Sequence, residues 1–382
     1  MAQRMPAPHH PEIVLTEVQK RIILQLRIAG PTPRVHLASM LRMNTASMTR
    51  MTQQLVAMGM LEELGASDAT ARGRPTVPLA IAGRGGWSAG ATVHPGWLEL
   101  VVIDFAGQPV FHDSIPFDDP DPRVFARTID ERLRVLIASH GFLRGKFLGL
   151  GVAVPGYALG GDRNRRQVVK RLSGWSDVPL LDILDDTLGM PIWIENDGTA
   201  AALAEYYQPH IIGHHRSVLV FFLGQGMGAG LIAERDLFLG EHGNSGEVGR
   251  LFPGDGPRPS GIDLMHRLRE AGVVIYSLAE LDGLLDSQAG LIEQWVERVA
   301  YQLEEAAFSG QVWLDPGAVI ISGAIPQPIL RQLASRVARI NSTRDPDYRG
   351  QLPEFYASSI GSKAVVIGAA MAPIHAITAL GH

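Results

Sequence analysis

Two groups of residues in this 382-residue chain have types and spacings suited to chemistry as well as to packing. The first lies near the N-terminus. Thr45, Ser47, Thr49 and Arg50 fall at the start of a helical pattern, where small hydroxyls and a guanidinium can reach base edges in a major groove. Arg50 suits either a guanine edge or a phosphate. Arg34 stands one helix earlier, and Arg72-Gly-Arg74-Pro75 puts two arginines on a Gly/Pro turn able to lie in a narrow minor groove. A three-helix accessory unit with a solvated Ser/Thr face would give the same helical pattern. The second group lies mid-chain. Asn196 donates and accepts at once, which suits hydroxyl recognition, and the Glu247 carboxylate can accept from two neighbouring hydroxyls. The plainer alternatives are that Asn196 or Asp197 caps a helix beginning near Gly198, and that Glu247 is a loop carboxylate between glycines.

These residues need elements to hold them. Leu15, Val18, Ile22, Ile23 and Leu26 recur on a 3.6-residue period, predicting a helix over 15–28 that Gly30-Pro31 ends. A second helix is expected over Arg34–Met40, then a turn with Asn44 as N-cap, then a third over Thr45–Met58 stopped by Gly59. Leu61–Leu64 and Thr76–Ile81 can pair around the polar loop from Gly65 to Pro75. Three helices and a two-stranded wing make a winged helix-turn-helix plan over 14–82, behind a flexible tail at 1–13. From Ser88 the pattern becomes α/β. Strand-like runs at Leu98–Phe105, Phe147–Val154, Ile192–Ile194, Ser217–Leu223 and Val319–Ser322 alternate with helical stretches at Arg123–His140, Leu180–Leu188, Gly198–Tyr207, Gly290–Ser309 and Ile329–Ile340. That alternation predicts sheets flanked by helices, in two lobes over 88–382, closed by an apolar helix over Ala364–Ala379.

Composition sets bounds. With no cysteine, disulfides, thiolate metal ligands and a cysteine nucleophile are excluded. No apolar run approaches the roughly 20 residues of a bilayer span, and Met1–Pro11 has no apolar core of a signal peptide, so a cytoplasmic protein without membrane contact is expected. The net charge of −5 is unevenly placed. Residues 1–80 hold nine Lys/Arg against five acids, about +4, leaving about −9 for the remainder. A basic head on an acidic body suits a DNA-binding module joined to a sensor.

Taken together and in order, the motifs resemble the ROK family (repressors, open reading frames and sugar kinases), its repressor branch in particular, from about Val14 to the C-terminus. The resemblance rests on Arg34-Val-His-Leu-Ala, on Asn44-Thr-Ala-Ser-Met-Thr-Arg50 and on Gly73-Arg-Pro in the head. In the body it rests on Gly149-Leu-Gly-Val-Ala-Val-Pro-Gly156, Glu195-Asn-Asp-Gly-Thr-Ala-Ala-Ala202, Gly224-Gln-Gly-Met-Gly-Ala-Gly230 and His242-Gly-Asn-Ser-Gly-Glu-Val-Gly249. It implies an α/β fold: an N-terminal winged helix-turn-helix followed by a two-lobed actin/sugar-kinase-like (ribonuclease H-like) domain. It also implies a ligand site at Gly156, Trp175, Asn196, Asp197, Glu247 and Arg250, with Asp197 where family kinases place their catalytic base. Trp175, in Lys170-Arg-Leu-Ser-Gly-Trp175, either closes over a sugar ring or belongs to the core.

Departures from the family pattern narrow the function. The kinases' first phosphate loop, Asp-x-Gly-Gly-Thr, is replaced by Thr92-Val-His-Pro-Gly-Trp97. Here proline lacks an N–H and histidine adds bulk, so no phosphate cradle and no catalysis are expected. Gln225 stands where the second loop usually has Thr. Arg250 occupies the position of the family's zinc-binding His, and 251–263 lacks its cysteines, so no metal or cofactor is expected. Arg250 either offers a fork of donors to an acidic or hydroxyl-rich ligand or pairs with Glu247 in place of the metal. The expected protein is a repressor of carbohydrate genes that binds a double-stranded DNA operator as a homodimer or homotetramer, controlled by a sugar, polyol or sugar-acid effector. A ROK-type sugar kinase with an altered nucleotide loop is the alternative.

Overall fold

The computed structural model describes residues 13–65, 77–94, 96–252, 256–348 and 350–380. Helix α1 (Glu17–Ala29) begins at a capping box between Thr16 and Gln19. Strand β1 (Thr32–Pro33), α2 (Arg34–Met40) and α3 (Thr45–Ala57) follow. The Asn44 side chain accepts from Ser47 N at 2.8 Å, as its N-cap position predicts. Gly59, at φ +75°, reverses the chain into β2 (Leu61–Glu63), and β3 (Pro78–Ile81) completes an antiparallel sheet in the order β1-β3-β2. Strand β1 was not expected from the sequence. The segment holding Arg72 and Arg74 lies outside the described residues.

The rest is one topological plan used twice. In the first lobe β4 (Trp87–His94), β5 (Trp97–Asp104) and β6 (Pro109–Pro116) form a meander, α4 (Pro122–Ser139) crosses over, and β7 (Phe147–Ala153) pairs parallel to β4. A hairpin of β8 (Gly156–Leu159) and β9 (Asp162–Val168) stands out from the sheet. Helix α5 (Leu180–Leu188) then leads to β10 (Ile192–Glu195), giving the order β10-β7-β4-β5-β6. Next come α6 (Asp197–Tyr206) and the short α7 (Pro209–Ile212).

The second lobe repeats the plan with the meander β11 (Val218–Leu223), β12 (Met227–Ala233), β13 (Asp236–Leu237). Helices α8 (Gly261–Glu270) and α9 (Ala289–Leu314) cross to β14 (Ala318–Gly323), α10 (Gln327–Arg344) leads to β15 (Glu354–Ala357), and α11 (Ala364–Thr378) ends the fold. Its sheet order is β13-β12-β11-β14-β15. The helices that follow each sheet are exchanged: α6 packs on β11 and β12, α11 packs on β4, β5 and β7, and the two helices pack on each other. Small residues allow this, since a Cβ on Gly368 would fall 1.6 Å from the Ala200 carbonyl oxygen. The apolar stretch 361–378 is long enough to cross a bilayer, but 72% of it is buried inside the protein.

The N-terminal helices are not set apart from the lobes. One apolar cluster joins Ile22, Ile23 and Leu26 of α1, Leu37 of α2 and Met48 and Leu55 of α3 to Ile103, Phe105, Tyr206, Ile211 and Met371 of the body. Arg27 reinforces the joint: its Nη2 donates to the Phe105 carbonyl at 2.8 Å, and its guanidinium lies 5.2 Å from the Tyr207 ring centroid.

Candidate functional site

The motif residues converge where the lobes meet, at the N-terminus of α6. Asn196 is committed at both ends of its amide: Oδ1 accepts from Gly198 N at 2.7 Å, and Nδ2 donates to the Gly156 carbonyl at 2.6 Å. The helix cap is therefore real, and it also ties the β8 strand to α6. Gly156, at φ +129°, has no room for a side chain, because a Cβ would sit 2.0 Å from the Gln167 carbonyl oxygen. Gly198 is equally confined, with Ala229 O 2.6 Å from a Cβ, so β12 of the second lobe lies directly on the first turn of α6. Asn244 closes the other side by exchanging two hydrogen bonds with the Ala158 backbone, at 2.7 and 2.9 Å. These contacts hold the β8–β9 hairpin over the loop that carries Glu247.

At the centre is Arg166, a residue that the motif reading passed over. It is 2% exposed, although it sits on the polar strand β9. The carboxylates of Glu195, Asp197 and Glu247 act on it from β10, from the start of α6 and from the loop after β13. Burial lowers the Arg166 pKa, with those three acids opposing. Burial raises the Glu195 carboxyl, against Arg166 and Arg163, and raises half-buried Glu247, against Arg166 and Arg250. Arg163 lies over Gly243. The strand alternation was the available signal: Arg166 and Val168 face inward while Arg165 and Gln167 face out.

Two expected ligand residues stand apart. Trp175 is fully buried in the first lobe's core, with its ring 4.9 Å from Phe125, so it belongs to the core. Arg250 is exposed on the 3-10 turn after Glu247; it influences that carboxyl, yet the two form no ion pair within 4.0 Å. The family's zinc does not fit this chain. Cysteine is lacking throughout, and among the described residues no group of three His, Asp or Glu could hold a metal ion.

The two phosphate-loop positions differ from a nucleotide cradle. At the β4–β5 turn the His94 and Trp97 rings lie 5.5 Å apart, and His94 Nε2 is 3.3 Å from Glu99 Oε2. At the β11–β12 turn Gly224 N donates to Gly226 O and Gly224 O accepts from Gly261 N, so the glycines there close a tight turn.

In the head, Thr45 and Arg50 are exposed at the start of α3, with Ser47 and Thr49 half-buried beside them. The Thr49 hydroxyl donates to Thr45 O at 2.8 Å. Arg34 is held internally: Nε donates to Thr52 Oγ1 at 2.9 Å and Nη2 to Glu63 at 2.6 Å. It staples α2 to α3 and β2 through Nε and Nη2.

A sequence profile of the ROK family matches residues 98–259. Uncharacterized protein y4fQ of Sinorhizobium fredii is 27% identical over 368 residues, covering 96% of this chain and 92% of that protein. The xylose repressor of Bacillus spizizenii is 23% identical over 236 residues, 61% of this chain and 59% of the repressor. Among solved structures, a ROK family transcriptional regulator described as a homolog of the Escherichia coli MLC protein superposes with a TM-score of 0.69 at 17% identity, covering 95% of this chain and 97% of that one. The match to the ROK family covers residues 98–259, and the two-lobed α/β fold is shared with the superposed regulator.

Proposed function

We propose that the chain is a cytoplasmic transcription regulator of carbohydrate genes, a repressor whose operator binding is set by a sugar or sugar derivative held between the lobes. The observation that carries this reading is the helical head, which exposes the Asn44-capped start of α3 while its core runs directly into the ligand lobes. Residues 14–82 act as a winged helix-turn-helix. Helix α3 enters the major groove with Thr45, Ser47, Thr49 and Arg50, and the wing brings Arg72 and Arg74 to the minor groove. The histidine and tryptophan rings that flank the β4–β5 turn support a binding domain without phosphoryl transfer. The xylose repressors among its relatives support carbohydrate genes as the target.

Ligand and head share an element. Helix α6 starts at Asp197 in the site and ends at Tyr206, next to Tyr207, whose ring receives Arg27 of α1. Ten residues at 1.5 Å each make a rod of about 15 Å. A ligand that favours one lobe arrangement would move that rod and reorient the heads of a dimer on a pseudo-palindromic site. A coupling of about 1–3 kcal/mol changes operator affinity by roughly 5–150-fold.

The test is selection of bound fragments from the source genome, followed by electrophoretic mobility shift with and without sugars. Arg50→Ala should weaken operator binding with an unchanged melt, and Asp197→Asn should blunt the ligand response while sparing DNA binding. Failure to select any DNA, or sugar-dependent ATP hydrolysis, would overturn the reading.

A further inference from the structure

Arg166 poses a physical problem that its neighbours do not solve. Its Nε and Nη1 have no hydrogen-bond partner, its Nη2 reaches the Ile194 carbonyl only at 3.5 Å, and it forms no ion pair within 4.0 Å among the described residues. Three N–H donors of a cation are thus buried without acceptors, an arrangement native proteins rarely keep without a purpose. A water there would satisfy the donors but not the charge.

Glu195, Asp197 and Glu247 act on Arg166 without forming an ion pair with it within 4.0 Å. Burial pushes Glu195 and Glu247 toward the neutral form, and Arg163 adds a second positive charge nearby. A neutral sugar would bring no charge to the guanidinium and leave it with only those longer-range carboxylates. A ligand bearing its own negative charge would complete the site, with its hydroxyls donating to Asp197 and Glu247.

We propose that the effector is an anionic sugar derivative and that Arg166, on the β8–β9 hairpin, binds its anionic group. This rests on the reading of the cleft as an effector site. The shared chemistry is an oxyanion, either a ring or chain carboxylate or a phosphate ester. Because the hairpin is pinned to both lobes by Asn196–Gly156 and Asn244–Ala158, an anion on Arg166 would draw it against α6 and the Glu247 loop.

The experiment is calorimetric titration of the full-length chain with matched compounds: D-glucose against D-glucuronate and D-glucose 6-phosphate, and D-xylose against D-xylonate. The expected result is that at least one acid binds more than 10-fold tighter than its neutral counterpart. A carboxylate or a phosphate preference names the source of the anion, and either supports the proposal. Arg166→Gln should weaken the preferred acid by about 100-fold, with Arg166→Lys recovering part of the loss. The matched comparison in the unmodified protein decides the matter even if the variants fold poorly. Neutral sugars binding as tightly as their acids would overturn the anion and leave the effector site standing. No binding by any compound, with operator affinity unmoved by all of them, would overturn both.

Discussion

His375 provides a pH test of how the lobes are joined. On α11 its Nδ1 is 2.9 Å from the Tyr207 hydroxyl and its Nε2 is 2.8 Å from Asp236 Oδ1, so the ring bridges the end of α6 to β13. Burial opposes the imidazolium, but the Tyr207 oxygen and the Asp236 carboxylate outweigh it and push the pKa from 6.5 up to about 9. A histidine whose folded pKa is raised stabilises the protein fully below its unfolded value. That contribution is lost as pH rises through the folded value. The window is therefore pH 6.5 to about 9. At 1.36 kcal/mol per unit the loss across it is at most about 3 kcal/mol, because Tyr207, whose hydroxyl pKa His375 and Arg27 lower, contributes stability of the opposite sign as it ionises. Urea titrations at pH 6.5, 7.5 and 9 should show the unfolding midpoint falling in steps. His375→Gln should start lower at pH 6.5, stay nearly flat and meet the unmodified protein near pH 9. Tyr207→Phe removes the other titrating partner and retains the ring beneath Arg27. Parallel declines in the unmodified protein and His375→Gln would refute the assignment of this pH dependence to the Tyr207–His375–Asp236 bridge.

Two substitutions test other joints. Arg34→Ala removes the hydrogen bond to Thr52 and the half-exposed pair with Glu63; after discounting the pair for solvent, a loss of about 1–2 kcal/mol is expected. An operator affinity reduced well beyond that of Arg50→Ala would show instead that Arg34 reaches DNA. Gly198→Val puts side-chain atoms where Ala229 O leaves 2.6 Å even for a Cβ, so it should separate β12 from α6 and abolish ligand binding. Unchanged titrations in a folded Gly198→Val protein would contradict the close lobe contact.

Most of the element pattern was readable because the large helices and the buried strands carry period and length. The helices predicted over Arg34–Met40 and Leu180–Leu188 match residue for residue, and the Asn44 cap sits where its type placed it. The elements missed have weak patterns for identifiable reasons. Strand β4 includes Ser-Ala-Gly-Ala and β12 begins Met-Gly-Ala-Gly, with small side chains because α11 and α6 lie almost on their backbones. Their stability comes from close approach across layers, which hydrophobic alternation does not encode. Strand β9 reads Asp-Arg-Asn-Arg-Arg, a composition that suggests a solvated loop, and only its pairing with β8 turns one arginine inward.

The candidate site shows the same division. Motif order singled out Asn196, Asp197 and Glu247 because each lies within two residues of a glycine in a short run, and such runs are local. It could not tell that the Asn196 amide is engaged at both ends, nor that Trp175 fills a core, since both depend on atoms distant in sequence. Arg250 attracted attention through its position in a motif, whereas Arg166 matters through where the hairpin carries it. A charge on an exposed turn is solvated and weakly directive; the same charge at 2% exposure must find a partner or destabilise the fold. In a fold that relatives use for different ligands, a buried charge of this kind is where specificity for one ligand can be set. It alters which molecule completes the cleft without altering the sheets and helices that form it.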